Sequence, residues 1–129
     1  RKRNKQKRGA MEVREVLEGM LDFLHEKEWI KDHLYKKDGR LYDAMIGGEV
    51  QGACLEGACK QVIWGKVSGS EWRPLQNDVN CAIINAAAIS CPEKYHNWMH
   101  AMFQFNDFEE TTREDVILAV KTAIAKEES

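Results

Sequence analysis

Cys91, His96 and His100 are the residues of this chain best suited to hold a metal ion, since a thiolate and two imidazoles are ordinary zinc ligands. His96 and His100 are four apart, a spacing that puts both rings on one face of a helix. The set stops there. No fourth ligand stands at a matching spacing, and Asn97 occupies the position where a metalloprotease helix carries its glutamate. Helix-surface or partly buried histidines are the simpler reading, so no metal ligand is assigned. Cys54 and Cys59 are too widely spaced for a thiol redox pair, and their offset aligns poorly on a helix. A nucleophilic cysteine would need His96 or His100 as its base, and nothing in the spacing joins them. The carboxylate pairs Glu109-Glu110, Glu114-Asp115 and Glu127-Glu128 lie in hydrophilic runs, not in the apolar pockets that acid–base work requires. Gly47-Gly48 and Gly52 lack the Lys and Ser/Thr of a phosphate-binding loop. The residues therefore point to no catalytic group, no metal and no cofactor, and the expectation is a non-enzymatic protein.

Charge is the next signal. Arg1, Lys2, Arg3, Lys5, Lys7 and Arg8 place six basic residues in the first eight. Without them, 13 basic residues face 21 acidic ones, a body of formal charge −8. A block of like charge stays solvated or lies on something negative. These six are the candidate nucleic-acid contacts, because neutralising phosphates releases counterions. No aromatic residue interleaves them, which argues against base stacking. Cys54, Cys59, Cys81 and Cys91 sit in apolar, alanine-rich stretches and read as reduced, core-packed thiols. With no apolar run of the ~20 residues a membrane span needs and no secretory signal pattern, a cytoplasmic protein is expected.

These residues must be carried by elements. Residues 1–10 read as a basic flexible arm and 11–129 as a single globular domain. Val13, Val16, Leu17, Met20, Leu21 and Leu24 fall on one face of an amphipathic helix over Glu12–Lys27. Gly19 lies inside it, which points to a close approach by a neighbour. Asp38-Gly39 supplies the positive φ angles of a hairpin turn between strands at Trp29–Tyr35 and Arg40–Asp43. Gly52–Lys66 reads as a second helix in which Gly57 and Ala58 admit another backbone. Val67–Pro74 reads as a Ser/Gly loop. A third helix capped by Asn77-Asp78 is apolar nearly all round from Cys81 to Ile89, which marks it as central. A short helix is expected from Pro92 to Phe103, a loop from Phe105 to Glu110, and a last helix to Lys126. That helix begins at a capping box of Thr111 or Thr112 with Glu114 or Asp115. The fold class is mainly α (α+β), about five helices around a central apolar helix with one small β-hairpin.

Of the four tryptophans, Trp64 and Trp98 read as core. Trp72 beside Arg73, in the Ser/Gly loop, is the pair expected to meet a partner, since exposed Trp and Arg dominate interface energetics.

Trp29, the Asp38-Gly39 turn, Cys54-x-x-Gly57-Ala58, Asn106-Asp107 and Thr112-x-x-Asp115-Val116 together resemble a family of small uncharacterised proteins from actinobacteria and their phages, a domain of unknown function. The resemblance covers about residues 12–125, with Phe105 where the family usually has Trp. It implies no reaction and points to a phage or prophage origin. The functional expectation is an interaction module, a phage or prophage accessory protein that binds a host protein through its acidic or aromatic surface. The alternative is a nucleic-acid-associated protein tethered by the basic arm.

Overall fold

The computed structural model describes residues 11–128. The basic residues Arg1 to Arg8 lie outside them. Five helices and four short strands follow in the order α1 (Val13–Glu26), β1 (Glu28–Trp29), β2 (Tyr35–Lys37), β3 (Arg40–Tyr42), β4 (Gly52–Ala53), α2 (Leu55–Ile63), α3 (Gly69–Ser90), α4 (Met102–Asp107) and α5 (Arg113–Glu128). The mainly α reading holds.

Helix α1 buries Val16, Leu17, Met20 and Leu24, the stripe its periodicity marks. Helix α3 packs against α5, α1 and α4 and buries Leu75, Val79, Ile83, Ile84, Ala86 and Ala87. A chain this small gains most of its stability from such removal of apolar surface from water. Helix α5 starts at the expected capping box. The Thr112 backbone N–H donates to Asp115 Oδ2 at 2.9 Å, and the Asp115 N–H donates to Thr112 Oγ1 at 3.2 Å. Lys94 Nζ donates to the same carboxylate at 2.5 Å. Burial would raise the Asp115 pKa, but these donors outweigh it and hold the carboxyl below its ordinary value. Arg113 donates to the Leu24 carbonyl and joins the end of α1 to the start of α5.

The expected turn forms at Asp38-Gly39, with φ of 52° and 77° as a two-residue turn of this kind requires. Its first strand is Tyr35–Lys37 rather than Trp29–Tyr35, because a two-residue turn pairs the residues that directly flank it. The hairpin belongs to a four-stranded sheet in the order β1-β4-β2-β3, with β1 parallel to β4 and the other pairs antiparallel. The sheet covers a small second core of Tyr35, Val50 and Ala53. The Tyr35 hydroxyl donates to the Gly57 carbonyl at 3.0 Å and so ties the sheet to α2. Gly57 must be glycine, because a Cβ there would run into the Leu34 carbonyl oxygen. The expected entry of another backbone beside Gly57 is therefore met by Leu34, the residue just before β2.

Several boundaries differ from expectation. Gly52-Ala53 is strand, and Cys54 is the N-cap of α2, its thiol accepting the Gly57 N–H at 3.4 Å. Helix α3 begins at Gly69 and runs through Pro74, so the expected loop and its Trp72 are helical and Asn77-Asp78 is interior. Pro74 lacks one N–H near the start of the helix, and burial of Leu75 and Val79 on the same element outweighs that loss. Residues 92–101 are turns, and the fourth helix starts only at Met102. It includes Phe105, which was expected in a loop. Ile89 and Cys81 are exposed on α3, so Cys81 departs from the other three cysteines, which are buried. All four are free thiols. Among the described residues, no helix is long and apolar enough to cross a membrane.

Candidate functional site

The most chemically loaded part of the surface surrounds α4. This six-residue helix turns Met102, Phe105 and Asn106 inward, while Phe103 is 45% exposed. Gln104 starts the helix by accepting the backbone N–H groups of His100 at 2.6 Å and Ala101 at 3.0 Å. Asn80, on α3, accepts the Met102 N–H at 2.7 Å and donates to the His100 carbonyl at 3.1 Å.

Asn106 is fully buried and acts as a clamp. Its Oδ1 accepts from Trp29 Nε1 at 2.6 Å and from the Leu55 N–H at 3.0 Å. Its Nδ2 donates to the Ile30 carbonyl at 3.1 Å and to Asp107 Oδ1 at 2.8 Å. One amide therefore joins α4 to the end of β1 and the start of α2. Asp107 Oδ1 also accepts the Asp32 N–H at 2.9 Å, which holds Asp32 at a φ of 70°. Aspartate tolerates this left-handed conformation better than most residues.

The clamp positions a cavity of about 260 Å³. It is lined by Asp32, Asp43, Glu56 and Asp107, with His33, Leu34, Cys54 and Phe103. His33 Nδ1 lies 2.9 Å from Asp43 Oδ1. A thiol, an imidazole and a carboxylate thus share one cavity, but the electrostatics run against a nucleophile. Burial, with the nearby Asp107 and Glu56 carboxylates, pushes the Cys54 thiol up to about 11 despite the Gly57 N–H. An activated cysteine needs the opposite shift.

Phe108, which follows the lining residue Asp107, belongs to a group of rings. His96 stacks on Trp98 with centroids 6.0 Å apart and lies 4.8 Å from Phe108, and Trp98 meets Phe108 edge-on at 6.4 Å. Trp98 is nevertheless 53% exposed, so the expectation that it is core is wrong. Its segment is turn rather than helix, and the neighbouring Met99 fills the interior instead. Trp64, at the C-terminal end of α2, is exposed as well and corrects the same expectation.

Other residues singled out by sequence are dispersed. The same-face geometry for His96 and His100 required a helix that does not form. Cys91 lies against Asp115, its thiol 3.5 Å from the Asp115 carbonyl. Among the described residues, no three His, Cys, Asp or Glu side chains group as a metal site. Trp72 is half-buried on α3 with Lys60 Nζ 4.6 Å over its ring, and Arg73 next to it is exposed. The residues that sequence reasoning missed as a site are Asp32, His33, Asp43 and Phe103. Their one legible signal was Asn106-Asp107, which sequence marked only as part of a resemblance.

A family model described as a family of unknown function (DUF6197) matches residues 9–126. No curated protein and no solved structure matches the chain.

Proposed function

We propose, for a chain that belongs to the family of unknown function DUF6197, a non-enzymatic protein-interaction module that docks its partner on the face around α4. One observation carries this reading: Trp98 and Phe103 keep about half of their surface in water, and Phe103 lines the cavity. Large aromatic side chains in water lose the free energy that burial would return, and interfaces draw their strongest contacts from such residues. The hydrogen-bonded frame of Asn106, Asn80 and Gln104 keeps α4 rigid, so little ordering cost opposes docking.

The module acts in the reducing cytoplasm, in keeping with its free cysteines. It serves as a phage or prophage accessory protein directed at a host protein, the role to which its family resemblance points. Trp72 and Arg73 form a second contact candidate on α3. The nucleic-acid reading of Arg1 to Arg8 is separable from both.

Affinity capture with quantitative mass spectrometry tests the proposal. The wild-type chain is expected to recover one protein stoichiometrically, and Trp98→Ala and Phe103→Ala to lose it by about tenfold or more. Capture that survives both substitutions but fails with Trp72→Ala/Arg73→Ala would move the interface to α3. Capture that disappears on nuclease treatment or on deletion of residues 1–8 would favour the nucleic-acid reading.

A further inference from the structure

The chemistry of the partner can be read from what rims the aromatic face. Besides Phe103, the cavity is lined by four carboxylates and one imidazole, with no Lys or Arg. Its volume of about 260 Å³ lies below the roughly 300–1,000 Å³ of small-molecule sites, and it is a shallow, open depression that suits the tip of one side chain. Two nearby cations are already engaged, one of them by a carboxylate of the cavity itself. Lys31 donates to the carbonyls of Phe108 at 2.7 Å and Glu109 at 3.1 Å. Lys60 lies 3.5 Å from Glu56 and over the Trp72 ring, so Glu56 is the one lining carboxylate already paired with a Lys. Asp43 is engaged by His33, and Asp107 by the Asp32 N–H and the Asn106 amide. Among the described residues, the Asp32 carboxylate makes no ion pair. Exposed Glu109 and Glu110 follow Phe108 and carry the negative field along the same face.

We propose that the α4 face recognises a basic segment of a partner protein, one Arg or Lys side chain resting in the acidic depression that Phe103 lines. This rests on the aromatic-face reading above and gives it a charge. A cation over an aromatic ring is attracted by the ring's negative face, and neighbouring carboxylates in a concave site strengthen the field. Arginine suits the site better than lysine because its planar group both stacks and donates to several carboxylates. Phosphate-bearing ligands meet like charge here and are disfavoured.

The test is fluorescence anisotropy at 0.15 M salt, where the diffuse field of the acidic body is screened within about 8 Å. The probe is a labelled arginine nonapeptide, compared with its neutral citrulline counterpart. The arginine peptide is expected to bind at least about tenfold more tightly than the citrulline one. The triple variant Asp32→Asn/Asp43→Asn/Glu56→Gln should lose about tenfold in affinity. A charge-matched control, Asp22→Asn/Asp78→Asn/Glu114→Gln, should stay within about twofold. Circular dichroism melts of both triples establish that each is folded. Absence of arginine-peptide binding, equal binding of the citrulline peptide, or equal weakening by the two triples would overturn the proposal. Partner capture that still depends on Trp98 would then leave the aromatic reading standing. Arginine selectivity that persists while Trp98→Ala leaves capture unchanged would instead remove the aromatic reading alone.

Discussion

Asn106 shows how much of the site depends on a single amide. A fully buried Asn must satisfy both its oxygen and its nitrogen, and here four partners from three segments do so. Replacing it with alanine strands the Leu55 N–H and the Ile30 carbonyl. Each buried orphan costs about 1–3 kcal/mol. Asn106→Ala is therefore expected to destabilise the chain by roughly 2–4 kcal/mol in urea titration. Trp29→Phe removes only one donor and should cost less. If Asn106→Ala were neutral, the clamp would not be what positions Asp32 and Asp107. In the sequence, Asn106 stands in the expected loop between Phe105 and Asp107. Its burial depends on three segments far apart along the chain, which no local pattern reports.

At the scale of elements, Gly19 marks the closest contact between α1 and α2. A Cβ there would sit 2.9 Å from Val62 Cγ1 and 3.0 Å from Cγ2. In an open helix, Gly→Ala stabilises by about 1 kcal/mol. Val62 is β-branched and cannot swing aside easily, so the overpacking cost of about 1–3 kcal/mol wins. Gly19→Ala is expected to lower stability, and Gly19→Ala/Val62→Ala to lose less than the two single effects added. Additive behaviour in a double-mutant cycle would contradict this contact. Here the sequence was informative: a glycine within a strong amphipathic stripe signalled close approach, although not which element approaches. Pro74 misled for the complementary reason. Its local cost is real, but Leu75 and Val79 after it are buried and Trp72 before it packs partly on the core, and their burial decides where the helix starts.

For the whole molecule, the buried thiols set an alkaline limit on stability. Burial raises Cys59 to about 12 and Cys54 to about 11, and it raises Tyr35 as well. The unfolded chain releases its thiol protons from about pH 8.5. Above that pH the folded state binds more protons than the unfolded one, so stability falls as pH rises. Urea midpoints are expected to drop from about pH 9 to about pH 11, and less steeply in Cys54→Ala/Cys59→Ala. A flat profile would mean these thiols are more hydrated than their burial indicates. Their burial was legible from sequence, since each lies among alanines and leucines; Cys81 was misread because helix position, not neighbours, sets exposure. The chain by itself determined the five-helix content, the Asp38-Gly39 hairpin, the capped start of α5 and the charge division between residues 1–8 and the rest. These follow from interactions within a few residues and from simple counting. Only the tertiary structure decided that α3 runs through Pro74, that the hairpin sits in a four-stranded sheet, and that Phe103 lines an acidic cavity while Trp98 stays exposed. Those features arise where distant segments compete to bury the same apolar surface, and the outcome of that competition is not written in any one stretch of sequence.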